Sequence, residues 1–176
     1  MAAMLAIAAW GAGLTLKDLD GRDVRPLEDT RAATVFIFTR ADCPISNRYA
    51  PEISRLHAVF APKGIAFWLV YVDPAQTAEA VRRHMTEYGY HTGALLDPRH
   101  ELVSLTHAEV TPEAVVYSGN RILYRGRIDD RYVALGKARR TATTHDLEDV
   151  LTAIAAGRTV EPRTTHATGC FIADLK

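Results

Sequence analysis

The stretch TRADCPIS, residues 39–46, joins two segments of different period. ATVFIFT, residues 33–39, is a β-branched and aromatic run and reads as a buried strand. Beyond it, Tyr49, Ile53, Leu56 and Phe60 recur at helical spacing, and Gly64 is a suitable stop. Cys43, one of only two cysteines, therefore falls where a strand hands over to a helix, directly before Pro44. A cysteine at the first turn of a helix lies near unpaired backbone N–H groups and the positive end of the helix dipole. Both stabilise a thiolate, the reactive form. Pro44 at the first helical position forfeits no hydrogen bond, whereas Pro51 inside the helix predicts a kink. Arg40 adds positive charge near the thiol and Asp42 opposes it. This position marks Cys43 as a nucleophile rather than as a small buried apolar residue.

Outward from this junction, LTLKDLDGRDVRPL (14–27) reads as a hairpin turning at Asp20-Gly21 through a type I′ turn. IAFWLVYV (65–72) is a second buried strand. Asp73-Pro74 predicts a helix start, with Asp73 as N-cap, Pro74 at the first position and Gln76 closing a capping box. Val81, Met85 and Tyr88 mark the inner face of that helix, and Gly89 ends it. ALL (94–96) is a short strand, and Asp97-Pro98 repeats the start signal for a helix over 99–106. EAVVY (113–117) and RILYRGRI (121–128) form an antiparallel pair through a three-residue connection, Ser118-Gly119-Asn120. Residues 129–142 have no clear period and are expected to be a loop. DLEDVLTAIAAG (146–157) is a final helix with Leu147, Val150, Leu151 and Ile154 inward and Gly157 just past its end. Two strands joined through a helix imply a parallel, right-handed crossover. A closing hairpin then gives an α/β fold: a central mixed sheet flanked by helices, with an N-terminal β-hairpin extension.

The chain's 176 residues suit one domain. The expected division is an apolar segment at 1–13, a main domain at 14–157 and a tail at 158–176 carrying Cys170. Lys and Arg number 21 and Asp and Glu 21, so the basic face that nucleic-acid binding needs is not expected. No apolar run reaches the ~18 residues of a membrane span. The start, MAAMLAIAAWGAG, has two readings: the hydrophobic part of a secretory signal, or a short apolar arm. The first basic residue is Lys17, so the positive leader region is missing. Export to the periplasm is slightly favoured over the cytoplasm. Cys43 and Cys170 can pair only if the fold returns the tail to the junction.

The element order and five motifs resemble the thioredoxin superfamily, and within it the alkyl hydroperoxide reductase/thiol-specific antioxidant (AhpC/TSA) redoxins, in particular their peroxiredoxin-like bacterial subgroup. The motifs are DCPISNRYAPE around Cys43, VTPEAVVY around Pro112, YRGRIDD from Tyr124, the helix THDLEDVLTAIAAGR and the tail element TGCFI. The resemblance covers roughly residues 14–173 and implies a thioredoxin-like fold. It aligns Cys43 with the first, nucleophilic cysteine of C-x-x-C. Ser46 stands where the second, resolving cysteine would be, either donating a hydrogen bond to the thiolate or capping the helix. Thr111-Pro112 matches the position of a cis-proline beside the cysteine, exposing a strand edge able to pair with a substrate chain. Alternation places Arg125 and Arg127 on one face, either to hold an anionic group of the substrate or in a surface salt-bridge set. Cys170 has three readings: a distant resolving thiol, a metal ligand with His166, or a buried cysteine anchoring the tail. Its neighbours Phe171 and Ile172 favour the last.

The resemblance implies a thiol-dependent oxidoreductase needing no cofactor. Its partners are a protein or small-molecule disulfide, or a peroxide, and an external thiol reductant. Peroxiredoxins carry Pro and Thr or Ser seven and three residues before their cysteine; Phe36 and Arg40 stand there. Disulfide exchange is therefore the expected chemistry, and a peroxidase with a divergent motif the alternative. A copper-binding module of the same fold is a further alternative, but Asn47 occupies the place of its second cysteine in C-x-x-x-C.

Overall fold

The computed structural model describes residues 13–173 and 175, so the apolar start at residues 1–12 lies outside the described residues. The chain enters through a hairpin, β1 (Leu16–Asp18) against β2 (Asp23–Val24), paired Leu16 to Val24 and Lys17 to Asp23. Its turn is not type I′. Gly21 alone has positive φ, its N–H bonds to the Asp18 carbonyl, and Asp18 N–H bonds to the Arg22 carbonyl. That is a type I turn followed by a glycine bulge. The Asp18 carboxylate fixes it by accepting from the N–H groups of Asp20 and Arg22.

β3 (Ala33–Thr39) is buried along its whole length. The helical pattern after Cys43 forms two pieces, α1 (Pro44–Arg48) and α2 (Ala50–Phe60). Pro51 sits in the first turn of α2, so the break falls at Tyr49, where a proline costs no internal hydrogen bond. A 3-10 turn at Ala61–Lys63 and Gly64 in the left-handed region end the helix. β4 (Ile65–Tyr71) follows. Asp73-Pro74 makes only a turn: Asp73 caps Ala75 N–H, and α3 (Ala78–Glu87) starts at Thr77, whose hydroxyl accepts from Ala80 N–H. β5 (Gly93–Leu96) leads to α4 (Glu101–Thr106). The wholly buried Asp97 carboxylate accepts from the N–H groups of Glu101, Leu102 and Val103. The expected cap residue is thus present but acts from four positions upstream, across Pro98.

β6 (Val110–Thr111) precedes Pro112, and β7 (Glu113–Ser118) turns into β8 (Arg121–Gly126). The connection is two residues, not three: Ser118 pairs with Arg121, and Gly119 and Asn120 both have positive φ, the signature of type I′. Residues 129–142 are not all loop, because β9 (Tyr132–Ala134) and β10 (Lys137–Ala138) pair antiparallel within them. α5 (Asp146–Ala155) ends at Gly157. The tail carries two short strands, β11 (Arg163–Thr164) and β12 (Cys170–Phe171).

The main sheet runs β11-β8-β7-β3-β4-β5-β1-β2, with β3, β4 and β5 parallel and β7 antiparallel to β3. It is the expected mixed sheet with an N-terminal hairpin extension. Alternation splits its side chains into two cores. Val35, Ile37, Leu69 and Tyr71 meet α2, α3 and α5 on one face. Phe36, Phe38, Val70 and Val115 meet α4 and the hairpin on the other. Cys43 belongs to the first face, so the end of β3 delivers the thiol to the side that carries most of the helices.

Candidate functional site

Cys43 is the N-cap residue of α1, with an extended backbone, and its carbonyl accepts from Asn47 N–H at 3.0 Å. The segment before it is held by a chain of hydrogen bonds. Asn47 Nδ2 donates to the Ala41 carbonyl at 2.9 Å, which leaves Asn47 Oδ1 to accept from His84 Nε2 at 2.9 Å. His84 Nδ1 then accepts from the Tyr71 hydroxyl at 2.8 Å. Burial holds the His84 pKa below its usual value, consistent with this neutral, fully bonded ring. Asn47 is thus a brace between α1, α3 and β4, which explains an asparagine where the copper-binding pattern needs a cysteine.

The thiol itself is only 1% exposed. The tail covers it: β12 pairs antiparallel with β6, Cys170 opposite Thr111 and Phe171 opposite Val110. Ile172 N–H bonds to the Glu109 carbonyl at 2.9 Å. Cys170 Sγ thereby lies 2.7 Å from Cys43 Sγ, and both cysteines are free. Cys43 Sγ is also 3.0 Å from the Thr111 carbonyl oxygen, and the Thr111–Pro112 peptide bond is cis. Of the residues that favoured the anchoring reading of Cys170, Phe171 is 75% exposed, whereas Cys170 and Ile172 are partly buried against the two cores. The strand is held by backbone pairing, not by burial of its aromatic side chain.

The two sulfurs are polarised in opposite senses. Burial pushes the Cys43 thiol up, but the donor groups placed around its sulfur, Cys170 first, then the Ser46 hydroxyl and N–H and the Thr111 side chain, together bring it below the ordinary value. The Ser46 hydroxyl is wholly buried and bonded to no group among the described residues, so its hydrogen remains available to a Cys43 thiolate. Cys170 is pushed up to about 11, by burial first and then by donating to Cys43 and lying beside its charge. α1 is only five residues long, so the dipole is small and these local donors dominate.

Thr111 and Pro112 lie against the thiol pair, but the strand edge they offer is filled by the chain's own tail. Glu113, 4% exposed, locks that edge: one carboxylate oxygen accepts from both Glu109 and Val110 N–H groups. Arg125 and Arg127 do not share a face. Gly126 between them has φ +147°, which breaks the alternation. Arg125 lies opposite Val115 and donates to the His107 carbonyl, while Arg127 pairs with Asp146 of α5 at 2.7 Å and donates to Thr144. Arg127 is therefore engaged in anchoring α5. His166 is exposed and forms no three-ligand cluster with the two cysteines among the described residues. The cluster that does form, Glu52, His145 and Glu148, has both carboxylates bound by Arg55.

Sequence reasoning missed Gly169 and Glu113. A glycine directly before the tail cysteine was the available signal for the first; a carboxyl next to Pro112 in an otherwise apolar strand was the signal for the second.

The sequence profile of the AhpC/TSA family matches residues 12–128. No curated protein matches the chain. Among solved structures, an uncharacterized conserved protein from Geobacillus kaustophilus is 26% identical, with a TM-score of 0.77 over 90% of this chain and 87% of its own. A hypothetical protein from Sinorhizobium meliloti 1021 is 23% identical, again with a TM-score of 0.77, over 97% of this chain and 95% of its own. A secreted Mycobacterium tuberculosis disulfide oxidoreductase homologous to DsbE of E. coli is 17% identical, with a TM-score of 0.56 over 86% and 99%. The last two similarities speak for the fold. Among the described residues no helix is long and apolar enough to cross a membrane. With a thioredoxin-like sheet, a cysteine at the β3–α1 junction and a family profile covering most of its length, the chain is an oxidoreductase that belongs to the AhpC/TSA family.

Proposed function

We propose that the protein is a two-cysteine thiol–disulfide oxidoreductase in which Cys43 attacks and Cys170 resolves. The observation that carries this is the 2.7 Å approach of two sulfurs whose pKa values are driven apart. The Cys43 thiolate attacks one sulfur of a substrate disulfide. A Cys43–substrate disulfide forms and the other substrate sulfur leaves as a thiolate. Cys170, having given its proton to solvent, attacks Cys43 Sγ. The Cys43–Cys170 disulfide forms and the second substrate sulfur leaves. An external thiol reductant returns the pair to the dithiol.

The order of events has an electrostatic cause. Two of the four causes that raise the Cys170 pKa, its hydrogen bond to Cys43 and the Cys43 charge, vanish once Cys43 is in the mixed disulfide, leaving burial and the Asp42 charge. Cys170 becomes nucleophilic only when it is needed. Ser46 keeps the role of donor to the thiolate, and the resolving role passes from its position to the tail. Peroxide chemistry is disfavoured, because Phe36 is fully buried in the core on the other face of the sheet and Arg40 is paired with Asp42 and Asp73.

Intact-mass analysis during reaction with a model disulfide tests the scheme. Cys43→Ser is expected to lose all exchange, and Cys170→Ser to accumulate the mixed disulfide on Cys43. Stopped-flow traces with hydrogen peroxide provide the contrast. Oxidation of Cys43 by peroxide orders of magnitude faster than by the disulfide replaces this reading with a peroxidase.

A further inference from the structure

The tail occupies the edge on which a bound substrate strand would lie. β12 is an extended segment, antiparallel to β6, with its cysteine opposite Thr111 and its sulfur against Cys43. An incoming chain that brings a disulfide sulfur to Cys43 along this edge needs the same stretch of backbone that the tail uses, from the Glu109 carbonyl to Thr111. Two strands cannot pair with one edge at once. The tail fits it closely. A Cβ placed on Gly169 would lie 2.2 Å from the Thr111 carbonyl oxygen, so only a glycine passes there. The tail is also easily lifted, because β12 has two residues and Phe171 is mostly exposed.

We infer that β12 is an internal stand-in for an extended polypeptide disulfide, and that substrate strand and tail bind the β6 edge in mutual exclusion. This rests on the exchange reading above and adds its partner class: a polypeptide with a small residue, preferably glycine, directly before its cysteine. The tail lifts, the substrate strand pairs with β6, and Cys43 attacks its disulfide. When Cys170 returns to attack Cys43, β12 reclaims the edge and expels the substrate strand. Resolution and product release are one event, and Gly169 is the positioning residue that permits it.

The test uses the reduced full chain and Ellman's reagent, an aromatic disulfide. Cys43 attack releases one equivalent of aromatic thiolate and leaves an aryl disulfide on Cys43. Closure by Cys170 then releases a second equivalent and forms the Cys43–Cys170 disulfide. The probe is a synthetic peptide of residues 167–173 with serine at the cysteine position, which can pair but cannot react. A tethered tail has an effective concentration of about 1 mM, so the peptide is used at ~10 mM. It is expected to slow the second phase at least about two-fold, whereas the same peptide with alanine in place of glycine leaves it unchanged. Gly169→Ala in the protein is expected to lower the ratio of second to first phase rates at least ten-fold. A second phase indifferent to the glycine peptide, slowed equally by both peptides, or unaltered by Gly169→Ala overturns the shared-edge proposal while leaving the exchange scheme standing. Absence of a second equivalent in the unmodified protein instead removes the exchange scheme, and the proposal with it.

Discussion

At the scale of single residues, Ser46 illustrates how one atom's environment sets a site. Its hydroxyl is sealed from solvent and bonded to no group among the described residues, so its hydrogen is available to the Cys43 thiolate, whose pKa it helps to lower. Removing a donor from an anion raises its pKa. Ser46→Ala and Cys170→Ala are each expected to shift the midpoint of Cys43 alkylation against pH upward, by about one unit for a charge-assisted hydrogen bond of ~1.5 kcal/mol. The thiolate fraction near pH 7 falls accordingly. A midpoint that stays in place in both variants removes the donor role from both residues. The sequence made the place of Cys43 legible, since it follows from a strand–helix junction, but not Cys170 as the foremost of the donors that lower its pKa. It did not reveal that the thiol is covered, because the cover comes from 127 positions away and leaves no local trace.

At the scale of elements, the strands were legible because a buried strand is a run of apolar β-formers, and β3, β4, β7 and α5 lie close to their expected bounds. Turns and caps were less legible, because several side chains compete for the same backbone donors. Asp20-Gly21 and Gly119-Asn120 both contain suitable residues, yet only the second adopts type I′, since the Asp18 carboxylate stabilises the alternative at the first. Thr77 outcompetes Asp73 as a cap because Pro74 leaves Asp73 bonding locally to Ala75. The tail's hold on the sheet turns on one such local feature. Thr165 N–H bonds to the Arg125 carbonyl, and its hydroxyl meets Tyr124 and Arg127, all around Gly126. A Cβ on Gly126 would sit 2.3 Å from the Thr165 carbonyl oxygen, at a φ that side chains rarely adopt. Gly126→Ala is expected to cost at least about 2 kcal/mol, combining backbone strain with displacement of β11. Thermal unfolding measures the loss, and Cys170 should alkylate faster in the folded variant. A variant with unchanged stability and unchanged Cys170 protection shows that the tail is held elsewhere.

At the scale of the whole molecule, the tail converts a site near one end of the sheet into a link across almost the entire chain. In the reduced protein β12 is already docked, so oxidation of Cys43 and Cys170 requires little rearrangement of the folded state. The unfolded state changes far more, because a bond between residues 127 apart closes a loop over most of the chain. The loop-entropy relation gives a ceiling of roughly 5 kcal/mol for a loop of that length, and measured gains usually fall below it. Taking half the ceiling, and a shift of ~2–4 °C per kcal/mol for a chain of this size, the oxidised protein is expected to melt about 5–10 °C above the reduced one. The comparison needs the Cys170→Ser variant, which cannot close the loop and should melt at the same temperature with and without reductant. Differential scanning calorimetry of the four samples decides the matter. If the unmodified protein melts no higher when fully oxidised, either the disulfide strains the fold by as much as the loop entropy returns, or the pair does not close within one chain. Peptide mapping of the oxidised sample separates these two, and only an intrachain Cys43–Cys170 linkage is compatible with resolution by the tail.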